Sequence, residues 1–242
     1  MRAAIVTGVS RGLGESLAET LLQRGFTVLG AGRANSARLT GDRYRFVRID
    51  LGDTTHIDAV LAPSFRALAG EKPVSVCLIN NAALARPVGV LGTLDDADAA
   101  TSLAVNLAAP IALANLFCRV FGRDGPARRI INVSSGAAQR ALPGEAMYCV
   151  AKAGLEMLTA ALAAEQQGPD FQSISVRPGI IDTGMQALAR SQSREALPCV
   201  DMFVEFHGQG QLVPPDVVAA KIVDRLVLGQ VDNGRTYSYQ EL

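Results

Sequence analysis

The chain has 242 residues, 49% of them hydrophobic and 19% charged, enough apolar sequence for the core of one large domain, and it shows neither a secretory leader nor an 18-residue apolar run. Its 23 basic and 23 acidic residues cancel and are interspersed, which argues against nucleic-acid and membrane surfaces and favours small-molecule partners. Four scattered cysteines and two histidines give no disulfide scaffold and no metal site, so a reduced, cytoplasmic protein is expected.

Short apolar runs alternate with longer amphipathic stretches, the pattern of strand and helix units around a parallel sheet. The first strand is expected over 3–7. It runs into Thr7-Gly8-Val9-Ser10-Arg11-Gly12-Leu13-Gly14, which opens a helix predicted over 12–24. In that context Gly8 allows a tight turn, Gly12 lets the backbone approach a pyrophosphate, and Gly14 permits close helix packing. Free N–H groups at the helix N-terminus then hold the anion. The second strand, 27–31, ends at Ala31-Gly32-Arg33, without the carboxylate that bonds ribose hydroxyls in NAD sites. Arg33 and Arg11 suit a 2′-phosphate instead, so NADP(H) is favoured over NAD(H). A third strand over 45–49 leads to Asp50, which either accepts a bond from the adenine amino group or caps the turn before a helix over 55–69.

The fourth strand, 74–79, enters Asn80-Asn81-Ala82-Ala83, and a long helix is predicted over 99–121. A fifth strand over 129–133 precedes Ser134 and Ser135. The helix predicted over 146–166 carries Tyr148 and Lys152, whose i, i+4 spacing puts a phenol and an ammonium on one face. The ammonium is expected to lower the phenol pKa, making Tyr148 a candidate general acid and base. After a sixth strand over 173–177, residues 182–213 form a stretch too long for a plain connection, read as a substrate loop with a short helix over 200–206. A helix over 215–228, opened by Pro215, and a seventh strand over 235–239 complete the pattern. The predicted fold is α/β: a single Rossmann domain spanning 1–242, a doubly wound parallel sheet of six to seven strands with helices on both faces.

Together these elements resemble the short-chain dehydrogenase/reductase family in its compact form, from the glycine motif through Arg177-Pro178-Gly179 and more weakly to the end. Asn80-Asn81-Ala82-Ala83 is similar to the family's Asn-Asn-Ala-Gly signature, with alanine in the glycine position. Asn106 matches the helix asparagine of the family's catalytic tetrad, and Ser135, thirteen residues before Tyr148, its serine; Tyr148 and Lys152 complete it. The resemblance implies that Ser10, Leu13, Leu51, Asn81, Ala82, Pro178, Gly179, Ile181 and Thr183 border the cofactor, beside Gly8, Arg11, Gly12, Gly14, Arg33 and Asp50. It also implies roles: Ser135 fixes a carbonyl oxygen, Tyr148 donates a proton to it, Lys152 bonds the nicotinamide ribose, and Asn106 holds a proton-relaying water.

Within the family the chain bears a closer resemblance to sepiapterin reductases and bacterial benzil reductases, through Thr183-Gly184-Met185-Gln186, Phe203-Val204-Glu205 and Gly210-Gln211-Leu212-Val213. That similarity implies NADPH-dependent reduction of a benzil-like 1,2-diketone or another small apolar ketone or aldehyde by a dimer or tetramer. Ser238 stands where sepiapterin reductases carry the aspartate that anchors their pterin, so a neutral carbonyl is favoured over a pterin. The segments 84–94, 136–144 and 184–212, expected to border the nicotinamide, are largely apolar, and only Arg86 and Arg140 are expected to reach a polar substrate. Two further readings stay open. A 3-oxoacyl thioester reductase fits the motifs but lacks the usual Val-Asp-Gly-Gly-like tail, and a non-catalytic NADP(H) redox sensor leaves the tetrad without a purpose.

Overall fold

The computed structural model describes residues 1–242. Its strands are β1 (Arg2–Thr7), β2 (Phe26–Gly32), β3 (Tyr44–Arg48), β4 (Ser75–Asn80), β5 (Ala127–Val133), β6 (Phe171–Arg177) and β7 (Thr236–Ser238). All pair in parallel, in the order β3-β2-β1-β4-β5-β6-β7. The helices are α1 (Gly12–Gln23), α2 (Ile57–Gly70), α3 (Asp96–Leu103), α4 (Ala109–Phe121), α5 (Ala146–Glu165), α6 (Gly184–Arg190), α7 (Val200–Gly208) and α8 (Pro215–Ile222).

Strand side chains alternate between two cores, as the two-residue period of a strand requires. Ala3 and Ile5 of β1 join Phe65 of α2 and Phe117 of α4 on one face. Ala4 and Val6 join Leu17 and Leu21 of α1 and Val218 and Ile222 of α8 on the other. Because helices cover both faces, the inner strands read as unbroken apolar runs. Each of the large buried side chains contributes roughly 1.5–3 kcal/mol. From β1 the chain winds outward to β2 and β3, then returns to start β4 on the other side of β1. The loops leaving β1 and β4 therefore diverge and open a crevice at the C-terminal edge of the sheet.

Three elements differ from expectation. The long helix begins at Asp96 rather than 99, because the Asp95 carboxylate accepts from the N–H groups of Ala97 at 2.9 Å and Asp98 at 3.0 Å, an N-cap. It is then interrupted by a π turn, Ala104–Ala108, centred on Asn106; a second π turn, Val223–Val227, follows α8. Such single π turns inside helices recur at functional sites. Residues 182–213 hold two helices, α6 and α7, where one is expected: α6 has seven residues, too few to display a periodic face. The stretches Asp96–Phe121 and Ala146–Glu165 reach mean hydropathies of 1.6 and 1.3, yet both pack on the sheet, through Leu113 and Phe117 in the first and Ala151 and Leu155 in the second.

Candidate active site

At the adenosine and pyrophosphate end, the turn after β1 is fixed by Gly8, whose N–H donates to Ala31 O at 2.8 Å. Gly8 has φ +75°, and a Cβ there would lie 2.9 Å from Ala82 Cα. Gly14 packs α1 so tightly that a Cβ would run into the Gly8 carbonyl oxygen and Asn81 Nδ2. Gly12, at φ +60°, faces Thr183 across the crevice. The turn after β4 is bound to the turn after β1 by Thr7: its hydroxyl accepts from the N–H groups of Asn81 and Ala82, both at 3.0 Å, while Asn81 Nδ2 donates to Thr7 O at 2.8 Å. Thr7 is a site residue that sequence reasoning passed over, although it begins the motif. Arg11 and Arg33 line the opening and are exposed, whereas Arg38 is held by Glu19 at 2.8 Å. Asp50 also lines it, with Oδ1 accepting from Gly52 N at 2.9 Å, so the turn-capping role is realised and its other oxygen stays free.

At the chemical end, Tyr148 and Lys152 project from the first turns of α5. Lys152 is 2% exposed; its Nζ donates to Val133 O at 2.7 Å and lies 5.3 Å from the centre of the Tyr148 ring. Burial lowers the Lys152 pKa to about 8. The expected lowering of Tyr148 is not found. Burial, then the carboxylate of Glu145, raise its pKa, and a hydrogen bond with Ser135 opposes them. The physical reason is direction: the ammonium points at the Val133 carbonyl, not at the phenol oxygen. Ser135, in extended backbone just after β5, also accepts from Ala137 N at 3.2 Å.

Asn106 is fully buried, and its side chain clamps the loop after β4. Its Oδ1 accepts from Leu84 N at 2.7 Å, and its Nδ2 donates to Leu84 O at 2.8 Å. The side chain thus sits behind the crevice instead of lining it. Every other predicted site residue does line it: Gly8, Ser10, Arg11, Gly12, Leu13, Gly14, Arg33, Asp50, Leu51, Asn81, Ala82, Ser135, Tyr148, Lys152, Pro178, Gly179, Ile181 and Thr183 border one cleft of about 1240 Å³.

One turn beyond Lys152 on the same stripe of α5 stands Glu156, which the i, i+4 rule would have found had it been carried a step further. Its carboxylate accepts from Ser134 Oγ at 2.7 Å and from Arg177 Nε at 2.8 Å and Nη2 at 2.6 Å. The next stripe position, Thr159, accepts from Asn132 Nδ2 at 2.8 Å and shares a 2.6 Å bond with Ser175. These contacts tie α5 to β5 and β6, fixing where Tyr148 and Lys152 point. Over the cleft, α6 and α7 contribute Met185, Ala189, Met202, Phe203 and Phe206, so residues 182–213 border the site as a substrate loop would. Residue Gly144, at φ +90°, lets this lid approach: a Cβ there would strike the Ala196 carbonyl oxygen and lie 3.0 Å from Leu197 Cα.

A glycine cradle that any Cβ would fill, at the switch point of a doubly wound sheet, fits a dinucleotide. Tyr148 and Lys152 stand at the other end of the same cleft. The family model for short chain dehydrogenases matches residues 2–194, and the chain belongs to the short-chain dehydrogenase/reductase family. It is 30% identical over 249 residues to a benzil reductase ((S)-benzoin forming) from Bacillus cereus, covering 100% of both chains. It is 31% identical to the sepiapterin reductase of Meriones unguiculatus, over 92% of this chain and 90% of that one. A short-chain dehydrogenase/reductase from Saccharomyces cerevisiae has a similar structure, with TM-score 0.81 and 25% identity over 99% of this chain and 96% of that one.

Proposed function

We propose that the protein is an NADPH-dependent carbonyl reductase whose leading substrates are benzil-like 1,2-diketones and other small apolar ketones. The carrying observation is that Ser135, Tyr148 and Lys152 line the same cleft as the Gly8-to-Gly14 cradle. Full-length similarity to benzil reductases supports the substrate class. Arg11 and Arg33, exposed at the adenosine end with no carboxylate partner, favour a cofactor carrying a 2′-phosphate. When bound, the reduced nicotinamide supplies a hydride to the carbonyl carbon.

The chain's own residues handle the oxygen. Ser135 holds the carbonyl oxygen by a hydrogen bond, and Tyr148, kept protonated by its raised pKa, gives that oxygen its phenolic proton as negative charge develops there. Lys152, largely charged below about pH 8, would hold the nicotinamide ribose by a hydrogen bond from its ammonium. Asn106 keeps the loop after β4 in place through Leu84. Leu84, Leu142, Met185 and Phe203 supply apolar walls suited to an uncharged ketone. Ile111 of α4 with Val150 and Met157 of α5 are exposed apolar side chains, and we assign them to self-association.

The test is NADPH consumption and product identification with benzil, an aliphatic ketone, an aldehyde, a 3-oxoacyl thioester and a pterin. Reduction of benzil to benzoin is expected. Preference for the thioester would promote the lipid-synthesis reading, and tight NADPH binding with no turnover across the panel would promote the redox sensor.

A further inference from the structure

Glu145 lines the cleft beside Tyr148 and is only 9% exposed, yet its carboxylate makes no hydrogen bond and no ion pair. Its backbone is fixed: the N–H donates to Leu142 O at 3.0 Å and the carbonyl accepts from Cys149 N at 2.9 Å. Although it directly precedes α5, it makes no side-chain capping bond. Arg140, on the same loop, turns its Nη2 to Met202 Sδ at 3.1 Å instead of to Glu145. Residues Ala196 and Leu197, in the segment leading to α7, pack against the neighbouring Gly144. The carboxylate is near enough to both Tyr148 and Cys199, at the start of α7, to raise their pKa values.

A buried carboxylate is ordinarily paired. Where a chain keeps one unpaired inside a substrate cleft, the missing partner is expected on the ligand. Glu145 is the cap residue of α5, and it lines the same cleft as Tyr148 and acts electrostatically on its phenol. A substrate whose oxygen meets Tyr148 can thus present a second group to Glu145.

Resting on the reductase reading above, we propose that Glu145 is a specificity-determining residue that selects ketones carrying a protonated amine one or two carbons from the reacting carbonyl. The ammonium pairs with the carboxylate while the carbonyl oxygen meets Ser135 and Tyr148. Neutral diketones are taken without using this contact.

The experiment measures binding separately from turnover. Calorimetry with protein and NADPH, a complex that cannot oxidise an alcohol, compares 2-amino-1-phenylethanol with the nearly isosteric 1-phenyl-1-propanol, for the unsubstituted protein, Glu145→Gln and Glu145→Leu. The amino alcohol is expected to bind at least about tenfold tighter to the unsubstituted protein, as a charge-assisted pair would give, and both substitutions should remove that preference. Both variants should melt at the same or a higher temperature, because an unpaired buried charge has been removed. Equal binding of the two alcohols by the unsubstituted protein, or variants that melt lower while keeping the preference, would overturn the proposal. Turnover of 2-amino-1-phenylethanone and benzil is then read separately. An amine preference in binding with no carbonyl reduced would remove the reductase reading but keep the Glu145 site. Benzil reduction with no amine preference would do the reverse.

Discussion

Glu156→Ala should loosen the catalytic helix without touching any group that meets substrate. Three bonds are lost, from Ser134 at 2.7 Å and from Arg177 at 2.8 and 2.6 Å. Hydrogen bonds to a charged group are worth roughly 1.5–3 kcal/mol each. The Arg177 and Glu156 side chains are 19% and 18% exposed, so water screens part of that and re-solvates the freed guanidinium. A net loss of about 3 kcal/mol follows, or roughly 6–12 °C in melting temperature for a chain of this size. Thermal and urea unfolding followed by circular dichroism would measure it. Arg177→Ala and the double variant complete a cycle whose coupling energy should be about 2 kcal/mol. The rate constant kcat should fall with stability, since the Ser134 hydroxyl also reaches the Lys152 carbonyl at 3.4 Å. A Glu156→Ala protein within about 0.5 kcal/mol of the original, the range of an ordinary surface change, would refute the idea that this pair braces the site.

The other predictions concern the cofactor, the lid and pH. Arg33→Ala should weaken NADPH binding by roughly ten- to hundredfold through loss of a charge-assisted bond and leave NADH binding nearly unchanged; equal effects on both would reassign Arg33 to the surface. Gly144→Ala forces a side chain into a left-handed position and against the Ala196 carbonyl, so a loss of about 1–3 kcal/mol and a raised KM from a displaced lid are expected in unfolding and steady-state assays. The lysine pKa near 8 sets the basic limb: Lys152 is charged below it and neutral above, while Tyr148 stays protonated, so kcat/KM should fall as pH rises through about 8. A profile flat to pH 10 would contradict the assignment of Lys152.

What could be read from sequence was what is local. The glycines of 8–14 and the Tyr148-Lys152 pair are short-range patterns whose geometry follows from the turn or helix that contains them. The parallel sheet followed from alternation of apolar runs, but not the π turn at Asn106, because the sequence on either side is apolar on nearly every face and hides the phase shift of about 100° that one inserted residue makes. The resemblance assigns Asn106 a proton-relaying water, and the fold adds side-chain hydrogen bonds to Leu84, 22 residues away in the chain, a pairing no spacing rule supplies. Glu145 fell just outside the segment 136–144 expected to border the substrate. Its burial follows from packing across the fold, so no local pattern marks it as other than a solvated helix end. The tyrosine pKa was misjudged for a related reason: neighbours on a helix face are predictable, but the direction of a flexible ammonium is set by the Val133 carbonyl across the fold.

The central claim is that Tyr148 supplies the proton for carbonyl reduction, and it is tested most directly by the initial rate of benzil reduction in Tyr148→Phe at saturating NADPH, with NADPH binding measured on the same preparation. A general acid contributes about 10²–10⁴-fold, so the account predicts a loss of that size in kcat with NADPH affinity preserved. A variant that turns over benzil at near the original rate would contradict it.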